Sequence, residues 1–203
     1  VRTNPLFAND NDFTFFTALR DGRPVGRITV HVHRASNDLH GWNKAWFGFF
    51  DCADDVDAAK ALLDAAANWA RARGFTSLTG NFNLTAMQQA GIVTDGFGHA
   101  PYTDQIWGAP HLPRLLEENG FVRTFPMTTF EVDIRNLKAS VQIDPREAKT
   151  LQEGGFTFAP ITRSTLGERL EDARSILNES FRDNPMFVPV SREEFDFQAK
   201  DMK

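Results

Sequence analysis

At 203 residues the chain is long enough to bury a sizeable core, as one large or two small domains. Its 41% hydrophobic and 24% charged residues are the balance of a globular protein. A net charge of -5 argues against nucleic acid or an anionic membrane as the main partner, and no stretch of the sequence reads as a membrane span or a secretory signal, so a cytoplasmic protein is expected.

Taken in chain order, Phe13–Leu19 is a compact apolar run that reads as a buried strand. Asp21-Gly22 follows as a turn, because glycine tolerates positive φ. Val25–His33 alternates, with Ile28, Val30 and Val32 on one face and Arg27, Thr29, His31 and His33 on the other, so the two runs form a hairpin. Ala35–Gly41 reads as a polar loop. Trp46–Phe50 is a central aromatic strand in which Gly48 marks a bulge or a close backbone approach. Asp51–Asp57 carries four aspartates, and Val56–Arg73 is an amphipathic helix stopped by Gly74. Thr76–Thr79 is a short strand. Gly80–Pro110 has turn residues and no period, the kind of long irregular segment that often carries function. Leu112–Asn119 reads as a helix and Thr128–Ile134 as a strand.

Leu137–Gly155 is polar, a linker or exposed helix at a domain boundary. The pattern then restarts. Phe156–Ile161 reads as a strand, Thr165 and Glu168 as a capping box opening a helix to about Phe181, and Ser191 and Glu194 as a second capping box. The order of elements implies a mixed α/β sheet and not a doubly wound one, which needs a helix after nearly every strand.

Several stretches together resemble a known family. They are Asn4–Phe7, Gly22–Arg27, Phe47–Asp51, Val56–Gly74, Gly80–Asn83, Val93–Phe97, Leu115–Phe121 and Asn184–Glu194. In order and spacing they are similar to bacterial proteins carrying two GNAT-type (acyl-CoA N-acyltransferase) units in tandem. The resemblance implies an α+β fold with a mixed, mostly antiparallel sheet flanked by helices. Residues 1–134 would supply a first unit without its opening strand and helices, 135–155 a linker, and 156–203 the opening strand and helices of a second, truncated unit. The 156–203 segment would then dock on the 1–134 sheet, within one chain or across a domain-swapped homodimer.

The resemblance also implies a chemistry, transfer of an acyl group from acetyl-CoA or another acyl-CoA to an amine. In such enzymes a glycine-rich loop and the following helix N-terminus bind the coenzyme A pyrophosphate. Here that loop reads Asp51-Cys52-Ala53-Asp54-Asp55-Val56-Asp57, with no glycine and four carboxylates that oppose a phosphate. The site therefore reads as degenerate, with Phe50, Asp51 and Cys52 as its surviving candidates. Asn81 and Asn83, just after a strand, are candidates for ligand contact, although turn formation explains them equally well. The tyrosine that many of these enzymes use as general acid has no counterpart in Trp107–Leu112. His111 and Tyr102 are the substitutes on chemical grounds, each with an ordinary capping or loop role beside it. Cys52 has aspartate neighbours, which disfavour a thiolate nucleophile. His31 and His33 share a strand face that would suit a metal, but no third ligand accompanies them, so no metal is expected. The alternative to an acyltransferase is a non-catalytic module that binds a small ligand or a protein through Gly80–Pro110.

Overall fold

The computed structural model describes residues 5, 9, 11–84, 89–102, 105–131, 133, 145–155, 159–184 and 187–199. The chain divides into two compact units, one formed by Val1–Val122 with Gly167–Lys203, the other by Arg123–Leu166.

The first unit is built on a four-stranded mixed sheet in the order β1-β2-β3-β4. Strands β1 (Phe13–Arg20) and β2 (Arg23–His31) form the expected hairpin. Its turn has φ 51 at Asp21 and φ 76 at Gly22, the paired positive values that match the twist of the flanking strands. Strand β3 (Lys44–Cys52) lies antiparallel to β2, and β4 (Ser77–Thr79) lies parallel to β3.

A parallel pair needs a crossover, and helix α2 (Val56–Ala72) supplies it. Ala58, Ala59, Leu62, Leu63, Ala66 and Ala70 form its buried stripe, at helical spacing. They pack on Ile28, Val30, Ala45 and Phe47, and Leu112, Leu115 and Leu116 of helix α3 (Leu112–Glu118) complete this core. A smaller cluster of Trp46, Phe82 and Val188 covers part of the opposite face. Val188 lies between helix α5 (Leu166–Ser180) and helix α6 (Arg192–Gln198). Its neighbour Val190 is held at both backbone groups by the Asn178 side chain, at 3.0 Å each. Ser191 and Glu194 form the anticipated capping box.

The structure departs from the sequence expectations at several points. The Ala35–Gly41 loop is helix α1 (Arg34–His40), closed by Gly41 at φ 64. Its Asn37 is polar because the side-chain amide both donates to and accepts from the backbone of Lys44, at 2.9 and 3.2 Å. Strand β1 is not buried. It is a sheet edge with only one face against α2, so Phe15 and Leu19 are exposed. Residues 128–131 and 133 form no strand, and Ile134 lies outside the described residues. In the second unit, Pro145–Glu153 is helix α4, without a buried residue. Of the strand expected at Phe156–Ile161, residues 156–158 lie outside the described residues and 159–161 are irregular. The Thr165 hydroxyl bonds to Thr162 and Pro160 rather than to Glu168, in place of the anticipated box. Ile161, Ile176 and Phe181 are exposed, whereas Leu170 is buried.

Gly48 is required by the backbone that crosses it. A Cβ there would lie 2.1 Å from the Phe82 carbonyl oxygen, a rigid atom. Gly48→Ala is expected to lower the unfolding free energy by about 2 kcal/mol or more, the upper range of overpacking costs. Urea denaturation checks it, and an unchanged midpoint would contradict the close approach.

Candidate functional site

Strands β3 and β4 pair only through Lys44–Trp46 and Ser77–Thr79. The two chains then separate, with one further link from the Phe82 N–H to the Phe47 carbonyl at 2.7 Å. At this point β3 bulges. Thr29 pairs with Gly48 and Arg27 with Asp51, so Phe49 and Phe50 together oppose Ile28, and Phe49 takes φ 46. The bulged amides find side-chain acceptors. Phe49 N–H donates to Asn83 Oδ1 at 2.6 Å, and Phe50 N–H to Asn81 Oδ1 at 3.1 Å. The asparagine amide nitrogens donate onward, Asn81 to the Gly91 carbonyl and Asn83 to Gln89 Oε1.

The separation leaves a cleft of about 340 Å³. The expected candidates Phe50, Asp51, Asn81 and Asn83 line it, and it also draws in Arg27, Phe49, Gln89, Ile92 and Trp107. The Gly80–Pro110 segment contributes much of the wall, as its irregularity suggested. Gln89 and Trp107 carry no pattern that singles them out. Arg27 and Phe49 read as ordinary strand residues until the bulge and the strand separation place them here.

Beside the cleft, the N-terminus of α2 is closed by its own chain. Asp55 Oδ1 accepts from the Asp57 and Ala58 N–H groups at 3.1 Å each, the arrangement of a capping aspartate. Asp55 also pairs with Arg20 at 2.5 Å, Asp54 pairs with Arg114, and Asp51 lies 3.9 Å from Arg27. Three of the four aspartates thus have arginine partners.

Cys52 is buried. Burial, with Asp55 and Asp51 adding to it, raises its thiol pKa. The thiolate is suppressed, in line with the structural reading of this residue. His111 begins α3 without capping it, and its Nε2–H donates to the Cys52 carbonyl at 2.8 Å. Tyr102 is exposed in the irregular segment and does not line this cleft.

His31 and His33 are more unusual than ordinary sheet residues. Both are buried, with ring centroids 5.0 Å apart. Burial lowers the His33 pKa to about 4, partly offset by a hydrogen bond to the Leu84 backbone. It lowers that of His31 well below the ordinary value, and the proximity of His33 adds to this. Among the described residues no group of three or more His, Cys, Asp or Glu side chains could hold a metal ion, and no helix is long and apolar enough to cross a membrane.

No protein-family model matches the chain, and no solved structure matches it. Two curated proteins are similar to it. A "Bacterial ceramide synthase" of Caulobacter vibrioides is 28% identical over 207 aligned residues, covering 100% of this chain and 52% of that protein. "Protein YghO" of Escherichia coli is 25% identical over 188 residues, covering 93% of this chain and 48% of that protein. The chain therefore spans about half the length of the curated relatives it matches.

The histidines make stability depend on pH. Their folded pKa values lie below the unfolded value near 6.5, so between those values the unfolded chain binds protons that the folded chain does not. Stability is complete at neutral pH and falls as pH drops through 6.5. At pH 5 the loss from His33 alone is about 2 kcal/mol, with a further contribution from His31. Urea unfolding at pH 7 and pH 5 measures it, and His33→Phe is expected to show the smaller drop. Equal stability at both pH values would contradict this burial.

Proposed function

We propose that the chain is part of an N-acyltransferase of the GNAT type, which joins the acyl group of an acyl-CoA to a long-chain amine. The observation that carries this reading is the cleft at the bulge of β3, beside the start of α2 and between two parallel strands that part. An open strand pair gives a linear acyl chain or an amine a slot between two backbones. The similarity to a ceramide synthase agrees with it, because a ceramide is the amide of a long-chain amino alcohol and a fatty acid. The reaction would be attack of a neutral amine on a thioester carbonyl, forming the amide and releasing the thiol.

In this portion the coenzyme A phosphates have no seat at α2. Its first N–H groups are engaged by Asp55, and a diphosphate there would meet Asp51, Asp54, Asp55 and Asp57. Coenzyme A binding then belongs to a second, downstream unit of the intact protein, with the present cleft contributing to the acceptor side. One observation favours the other reading, a non-catalytic module. The same closed helix terminus leaves this portion without an evident means of activating a thioester.

Two measurements test the proposal. The full-length gene product, given radiolabelled acyl-CoA and a long-chain amine, is expected to form the labelled amide, and failure to form it with a range of chain lengths refutes acyl transfer. The 203-residue chain alone is expected to bind acetyl-CoA no more tightly than about 1 mM, or about -4 kcal/mol, in calorimetric titration. A micromolar constant, about -8 kcal/mol, would overturn the closed-terminus argument.

A further inference from the structure

Strand β2 carries a row of polar side chains on the face turned away from α2. Arg27 lies at the cleft, followed by Thr29, His31 and, just past the strand, His33. Beyond Arg27, His31 and His33 are buried and Thr29 is half-buried, and four polar atoms of the row, themselves buried, lack partners. Thr29 Oγ1, His31 Nδ1, His31 Nε2 and His33 Nε2 make no hydrogen bond. Natural proteins satisfy nearly all such groups, so four in one short row point to a partner outside the chain. Among the described residues, the rings that pack on His33 from outside the row are aromatic. Trp46 and Phe82 pack edge-on to His33, at 5.3 and 6.0 Å between ring centroids, and Val188 joins the same cluster.

We propose that Thr29, His31 and His33 form the floor of a binding site for an uncharged, hydroxyl-bearing part of a ligand, closed in this structure by Phe82.

The hydrogen-bonding requirements select the ligand. His33 is bonded at one nitrogen to the Leu84 backbone, and its unpartnered atom is Nε2. With the carbonyl accepting from Nδ1–H, Nε2 offers a lone pair and needs a donor. His31 offers one donor and one acceptor, and the Thr29 hydroxyl offers both. A hydroxyl group meets these demands because it too gives and accepts. A carboxylate or phosphate only accepts, and would suit His33 only after protonation, which burial opposes.

The site adjoins the cleft. Thr29 pairs across the sheet with Gly48, the neighbour of Phe49 in the cleft wall, and Thr29 lies roughly 7 Å along β2 from Arg27. A ligand seated in the cleft therefore reaches the row by displacing the Phe82 loop. That this ligand is an amino alcohol, the acceptor of acyl transfer, rests on the function proposed above. The hydroxyl site does not.

The full 203-residue chain, labelled with ¹⁵N in its histidines, is titrated with an octyl-chain 2-amino-1,3-diol and, separately, with octylamine. The diol is expected to shift the ring resonances of His31 and His33 saturably, and octylamine to do so at least tenfold more weakly. His33→Phe is expected to weaken the diol at least tenfold. His31→Leu removes two unpaired groups, so it is expected to raise the melting temperature while abolishing diol binding. Rings unmoved by the diol, or moved equally by octylamine, overturn the site, as does diol binding retained by a folded His31→Leu. Should that variant fail to fold, the labelled wild type and His33→Phe still decide. Rings that move in a protein whose full-length form makes no amide would leave the hydroxyl site standing and remove acyl transfer. Amide formation with silent rings would do the reverse.

Discussion

At Phe49 and Phe50 two backbone N–H groups leave the sheet ladder at the bulge of β3, and Phe50 is 4% exposed. A buried N–H without an acceptor costs on the order of 1–3 kcal/mol, so the bulge persists only because Asn83 and Asn81 supply oxygen atoms. Asparagine suits this place through its two-ended amide. The oxygen holds β3, and the nitrogen holds the 89–91 segment. The same pair of residues therefore opens the strands and anchors the chain that walls the opening. An aspartate at either position would satisfy the strand and release the wall, since an ionised carboxylate only accepts. The glycines beside this junction follow from it. A Cβ at Gly48 or Gly80 would strike a backbone oxygen of the opposing segment, at 2.1 and 2.4 Å.

Charge is managed in the same economical way. Four aspartates in seven residues would repel one another and any anion, yet their arrangement is orderly. Asp55 closes the start of α2, and Arg20, Arg27 and Arg114 reach from β1, β2 and α3 to the cluster. These pairs are exposed, so individually they add little stability. Their effect is positional, since they draw three elements toward the end of β3. The helix dipole, which elsewhere recruits a phosphate, is met here by a side chain of the chain itself. The cleft beside it is left with Arg27 and Asp51 as its opposed charges and with aromatic and amide walls, a lining better matched to a neutral or amphipathic ligand than to a dianion.

The sheet and its main helix were legible because each depends on a local, periodic pattern. Alternation along Val25–His33, the Asp21-Gly22 turn and the alanine-leucine stripe of α2 are independent of distant residues. What escaped depended on partners remote in sequence. The polar Arg34–His40 looked like a loop because the Lys44 backbone that occupies Asn37 cannot be seen from within the segment. Phe13–Leu19 has the composition of a buried strand, and only its place at the sheet edge exposes it. The bulge was foreshadowed by Gly48, but the chain spends its glycine on the close approach to Phe82 and gives the positive φ to Phe49 one residue later. Asn81 and Asn83 were identifiable as residues of interest, but not as structural acceptors. His31 and His33 were placed on the correct face. His33 packs against Trp46 and Phe82, which no spacing rule connects to it.

The two faces of the sheet differ in a way that separates scaffold from function. The face under α2 is apolar, and Ile28, Val30, Ala45, Phe47 and Ala59 lie there at 0–1% exposure. Such a face is already optimal for stability and needs nothing further. The other face holds His31, unpaired at both ring nitrogens, His33, unpaired at Nε2, and the unpaired Thr29 hydroxyl, with Phe15 and Phe49 exposed beside them. Leucine or valine along β2 would fill that space more favourably, since an unpaired buried polar group costs free energy that an apolar replacement of similar shape avoids. A chain selected for stability alone would not keep three such residues in a row. Their presence on the strand that also supplies Arg27 to the cleft places the functional demand on this face, while α2 and the core beneath it hold the geometry fixed.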